Sequence, residues 1–124
     1  MKSSKHRQMA LNIEKSLKKC HQSDIEIRIE AAMLAATHWI NADLHDRGVT
    51  SVDQDIIHTY LLTINEYRRL SVASKNLLSI LAEIEDLRPL HVRGDAPHGE
   101  QAAARADLML SRIRKIATGS FCDG

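Results

Sequence analysis

Arg93 and His98 stand with four residues between them in a stretch that also holds Asp95 and lies just after Arg88 and His91. Arginine holds a phosphoryl oxygen through a forked pair of hydrogen bonds, and histidine, titrating near neutrality, takes or gives a proton. Together they have the parts for cleaving RNA by activating its own 2′-hydroxyl, with His98 as acid/base and Arg93 stabilising the phosphoryl transition state. The plainer expectation for the same residues is a polar loop facing water. A second constellation is metal-like. His38 and His45 are seven apart and fall on one side of a helix, while Asp55-Ile56-Ile57-His58 supplies a carboxylate and an imidazole one turn apart. No Glu-x-x-His pair completes it. We therefore expect neither a metal nor a cofactor, and read His6 and His21 as ordinary terminal and loop residues. No glycine-rich phosphate loop, nucleophile elbow or zinc-finger spacing occurs.

The elements that must position these residues are helical. Over Ile25 to Arg47 the apolar residues Ile25, Ile29, Met33, Ala36, Ile40 and Leu44 form one face at 100° per residue. Ala31, Ala32, Ala35, Trp39 and Ala42 widen it, leaving Glu26, Glu30, Thr37 and Asn41 as the wet strip. Such an arc must touch at least two neighbours, and its alanines let them come close. Trp39 reads either as core or as the anchor of a contact with a symmetry mate.

Around this helix the chain reads as four more. Met9, Ile13, Leu17 and Cys20 mark a helix over about 4–20, and Ser23 with Glu26 forms a capping-box pattern for the next, over 24–47, which Gly48 closes. Ser51 or Asp53 is placed to cap a third, over 53–70, carrying Ile56, Ile57, Tyr60, Leu61, Ile64, Tyr67 and Leu70. Tyr60 and Tyr67, seven apart, border one surface of it. Ser71 and Ser74 break the chain before a fourth helix over 72–88, which Pro89 terminates. Residues 89–99 hold both prolines and read as a loop, and a last helix over 100–118 is closed by Gly119. With no strand pattern, repeat or linker, these elements imply an all-α, up-and-down bundle of four or five helices forming a single domain over 1–124.

Composition agrees with that class. At 124 residues, 44% hydrophobic and 27% charged, the chain can bury a core without staples. Its four aromatics, Trp39, Tyr60, Tyr67 and Phe121, are too few for a base-stacking platform. A net charge of +1 gives no general pull toward polyanions, so any nucleic-acid contact is local, near the basic residues of the first or last helix. Cys20 and Cys122 lie far apart without ligand spacing, no leader pattern precedes them, and no apolar run approaches the roughly 18 residues that cross a bilayer. We expect a reduced, cytoplasmic protein with no membrane contact.

The order of elements resembles the HEPN superfamily of small helical bundles. The resemblance covers most of the chain: a first helix, an alanine-rich second helix ending in His45-Asp46-Arg47-Gly48, a third, a fourth reaching Leu87-Arg88, then a loop and a last helix. Many members carry an arginine followed after a short variable stretch by a histidine, and Arg93-Gly94-Asp95-Ala96-Pro97-His98 has that form. Gly94 and Pro97 set it in a loop rather than at a helix start. The resemblance implies a binding or regulatory module acting as a homodimer whose paired helices form a shared cleft, beside a protein or nucleotide-bearing partner such as a minimal nucleotidyltransferase. The alternative that the resemblance implies is a metal-independent, toxin-like endoribonuclease in which Arg93 and His98, with Asp95, would be the catalytic residues; Arg88, His91 and Trp39 would serve binding. A structural bundle without a ligand is the remaining alternative.

Overall fold

The computed structural model describes residues 1–74 and 76–119, so Phe121 and Cys122 lie outside the described residues. The chain is an all-α bundle: α1 (Ser3–Leu17), α2 (Ile25–Asp46), α3 (Ile64–Ala73), α4 (Leu77–Asp86), the single turn α5 (Arg88–His91) and α6 (Gly99–Thr118), with a 3-10 turn at Thr59–Leu61. The longest helix, α2, is the hub. Eleven of its twenty-two residues are buried, and α1, α4 and α6 all pack on it. Its alanines Ala32, Ala35 and Ala36 have no exposed surface, which is how three helices approach one axis.

The wide apolar arc is therefore covered largely from within the chain. Trp39 is 3% exposed, and its indole Nε1 donates to Glu14 Oε2 of α1 at 2.7 Å. Arg114 of α6 donates to the other oxygen of the same carboxylate. Trp39 is thus core, and the expectation that it and the alanines meet a symmetry mate is corrected: α1 and α6 already occupy that surface.

Thr37 and Asn41, expected on the wet strip, are buried instead. The connection after α2 lies over them. Asn41 Nδ2 donates to the Ile56 carbonyl at 2.7 Å, and its Oδ1 accepts from the Ile56 amide at 2.7 Å. With both backbone groups of Ile56 held from α2, the helix expected over 53–70 does not start at Ser51 or Asp53. It starts at Ile64, where Thr63 and Glu66 exchange the two hydrogen bonds of a capping box. Asp24, by contrast, receives the His21 amide at 2.7 Å, and α2 has no side-chain cap, so the Ser23–Glu26 box does not form.

The break between α3 and α4 falls at Ser74 to Asn76, with Asn76 at a left-handed φ of 73°. Gly48 (φ 71°) and Gly119 (φ 72°) end α2 and α6 in that same conformation. Pro89 does not simply open a loop. It sits in the first turn of α5, where its missing amide costs no hydrogen bond. Beyond it the chain folds back so tightly that a Cβ at Gly94 would lie 2.8 Å from the Pro89 carbonyl oxygen and 2.9 Å from that of Leu90.

Candidate functional site

The densest polar grouping joins three separate elements. His6 of α1 extends the buried stripe of Ala10 by one turn and is 2% exposed. His38 and His45 project from α2 toward it, with ring centroids 5.1 and 5.4 Å from the His6 ring. Asp55 comes from the connection that Asn41 pins. His6 Nε2 lies 2.9 Å and His45 Nε2 2.7 Å from the same oxygen, Asp55 Oδ1, while the N-terminal amine is 3.2 Å from Oδ2.

The hydrogen positions follow by elimination. An ionised carboxylate only accepts, so His6 and His45 each carry a proton on Nε2 when neutral. His6 Nδ1 then accepts from His38 Nδ1, 2.8 Å away, and His45 Nδ1 accepts from the Thr50 hydroxyl at 2.7 Å. Every ring nitrogen of His6 and His45 is engaged. Burial pushes the Asp55 carboxyl up, but hydrogen bonds from His45, His6 and the N-terminal amine outweigh it and hold the group at about 2. Burial first, and repulsion from His6 whenever that ring is protonated, lower His38 from its ordinary value against the opposing pull of Asp55. His6, His38 and Asp55 line a half-open hollow of about 210 Å³ together with Met1, Met33, Leu34 and Ile57 among others.

Sequence reasoning pairs Asp55 with His58; the structure separates them. His58 Nδ1 is 2.9 Å from Glu85 Oε2, which also accepts from the Thr59 amide at 3.1 Å, and the Thr59 hydroxyl donates to Oε1. Glu85, 5% exposed, thus organises the 3-10 turn. His6 was the missed member. Its place one turn ahead of Ala10, Ile13 and Leu17 was the available signal, since a histidine on an apolar stripe must find a buried partner.

The Arg93 loop is placed differently. Arg93, Asp95 and His98 are all exposed, and among the described residues no side-chain hydrogen bond or ion pair joins them. His98 stands immediately before α6 in a left-handed conformation, φ 66°. His91, half-buried, has an Nδ1 without a partner. Arg88 turns away from this loop: its Nε donates to Glu30 Oε1 of α2 at 2.6 Å. That bond, opposed by burial and aided by Tyr60, raises its pKa further.

A last surface feature is apolar. Ile27 (63% exposed) and Leu34 (48%) stand on the outer side of α2 and line a shallow groove with Ile13 and Ala31. Leu34 also borders Ile57 (62%) and His58, on whose ring Tyr60 stacks at 4.7 Å. Leu34 thus belongs to both hollows, and exposed apolar side chains run from Ile27 past Leu34 and Ile57 toward Tyr60. Among the described residues, no helix is long and apolar enough to cross a membrane. No family model, curated protein or solved structure matches the chain.

Proposed function

We propose that this chain is a HEPN-like helical binding module that works as a homodimer, pairing through the Ile27–Leu34–Ile57–Tyr60 strip. The observation that carries this reading is the strip itself: Ile27, Leu34, Ile57 and Tyr60 are large apolar side chains left in water on a domain whose other wide apolar face is largely covered. A two-fold contact uses one patch twice, so a single self-complementary strip suffices. The Glu30–Arg88 pair and Tyr60 provide the polar rim that such contacts carry. Arg88 then serves the interface rather than a phosphate.

Arg93, Asp95 and His98 in this reading decorate a surface loop beside the dimer. Light scattering coupled to size-exclusion chromatography tests the proposal. Wild type is expected as a dimer at high micromolar concentration, and Leu34→Glu as a folded monomer. A wild type that stays monomeric throughout sinks it. In the same experiment series, RNA cleavage that persists in chelator and disappears in His98→Ala would replace it with the endoribonuclease reading.

A further inference from the structure

We propose that His6, His45 and Asp55 form a binding site for one divalent first-row transition ion of the Zn2+ class. The ligand atoms, one from each residue, lie within 4.8 Å of one another. Both imidazole Nε2 atoms converge on a single carboxylate oxygen, at 2.9 and 2.7 Å. A tetrahedral ion with bonds of about 2.0–2.1 Å holds its ligand atoms roughly 3.3 Å apart, so the two nitrogen–oxygen separations open by about half an ångström to admit one, and the third separation already lies within 4.8 Å. Imidazole with carboxylate suits Zn2+, Co2+, Ni2+ or Fe2+ far better than Ca2+ or Mg2+, which take oxygen.

The surroundings of the two rings strengthen the case. A ligating histidine needs a bare nitrogen toward the metal and a partner for its other N–H. His45 meets this when its proton moves from Nε2 to Nδ1, where the Thr50 carbonyl oxygen (3.3 Å) and hydroxyl (2.7 Å) both stand ready to accept. His6 meets it in the same way: its proton moves to Nδ1 and is donated to His38 Nδ1, while His38 carries its own proton on Nε2. Each imidazole stays neutral and no proton is lost from the set. Asp55 is already ionised, so the loaded site carries one net positive charge. Three protein ligands leave a tetrahedral ion one open position, and the Asp55 side chain, 31% exposed, gives solvent access there. His6 and His45, at 3% and 2% side-chain exposure, are held by the helices that bear them. The same three residues on three elements would also lock α1 and the 49–58 connection to α2.

The test uses the full chain, stripped with chelator and dialysed. Co2+ is titrated while the visible d–d bands are followed, and Zn2+ binding is measured by calorimetry. Wild type is expected to take up one ion per chain with saturation. Asp55→Asn and His45→Gln are expected to weaken it at least tenfold, and Thr50→Val, a positioning change, to weaken it less while altering the Co2+ spectrum. His21→Ala and His98→Ala bind as wild type. Circular dichroism identifies variants that keep the fold, and Asp55→Asn, on the solvent side, retains it. Absence of saturable binding at one equivalent, or equal affinity in Asp55→Asn and wild type, overturns the proposal.

Discussion

Asn41 and Ile56 exchange a pair of hydrogen bonds, the Asn41 side-chain amide donating to the Ile56 carbonyl and its Oδ1 accepting from the Ile56 amide, both 2.7 Å long and both buried. In effect the side chain of α2 supplies Ile56 with the partners a neighbouring strand would give. This fixes the backbone next to Asp55 and so sets the carboxylate between His6 and His45. Asn41→Leu removes both partners and leaves two buried backbone groups unsatisfied, each worth about 1–3 kcal/mol. Urea unfolding of that variant is expected to show a loss of about 3 kcal/mol, with faster hydrogen exchange at Ile56. Asn41→Asp keeps the acceptor but buries a carboxylate and turns one of its oxygens on the Ile56 carbonyl, and is expected to lose at least as much. A loss below about 0.5 kcal/mol in Asn41→Leu would remove the pinning role.

Trp39 is joined to Glu14 rather than to a partner molecule. Because Glu14 is 9% exposed and its second oxygen is already taken by Arg114, the indole N–H is the remaining donor for its Oε2. Trp39→Phe keeps most of the apolar volume but strands that oxygen, at a cost of about 1–3 kcal/mol. Thermal or urea denaturation measures it. As the protein's one tryptophan, Trp39 also reports by fluorescence. Its emission is expected to stay blue-shifted and unchanged on dilution through any dimer dissociation; a red shift on dilution would put it at the interface after all.

Much of the fold was legible because period and punctuation agreed. The stripe of α2, the left-handed closures at Gly48 and Gly119 and the existence of a break between the third and fourth helices follow from local chemistry that tertiary packing did not overrule, although α3 runs to Ala73 and α4 starts at Leu77 rather than at 72. The 53–63 segment was not legible. Its residues Ile56, Ile57, Tyr60 and Leu61 carry helical spacing, yet Asn41 and Glu85, distant in sequence, offer its backbone better partners than its own turns do. The candidate site failed to read out for the same reason. His38, His45 and Asp55 were each visible, but the residue that draws them together, His6, comes from the opposite end of the pattern, and only the crossing of α1 over α2 brings it there.

The Thr63–Glu66 box gives α3 a pH-dependent start. Hydrogen bonds from the Thr63 backbone amide and then its hydroxyl lower the Glu66 carboxyl below its ordinary 4.5. A depressed carboxyl stabilises the fold when ionised, so the contribution is complete above about the ordinary glutamate value and fades as pH falls through the folded value. Thr63→Ala is expected to lose about 1 kcal/mol at neutral pH. The gap between wild type and Glu66→Gln is expected to close on acidification from neutrality to below the folded value, read as converging urea midpoints. A gap that widened in acid would contradict the sign.

Gly94 tests whether the Arg93 loop has one conformation. Its Cα faces the Pro89 and Leu90 carbonyl oxygens so closely that an added methyl would sit at 2.8 and 2.9 Å. Backbone oxygens cannot swing aside as a long side chain does. The same oxygen of Leu90 accepts from the Ala96 amide, and the Arg88 oxygen accepts from Val92 and Arg93, so the turn is tied at several points. Gly94→Ala is therefore expected to force the loop open or strain it, at about 1–3 kcal/mol by analogy with overpacking elsewhere. Because the loop lies apart from the His6–His45–Asp55 cluster in its hydrogen bonds, Co2+ affinity is expected to stay at the wild-type value. Differential scanning calorimetry alongside the Co2+ titration separates the two: a lower unfolding temperature with unchanged metal affinity is the expected pair. A Gly94→Ala protein as stable as wild type would mean that the loop relaxes freely, and that Arg93 and His98 hold no fixed relation to each other.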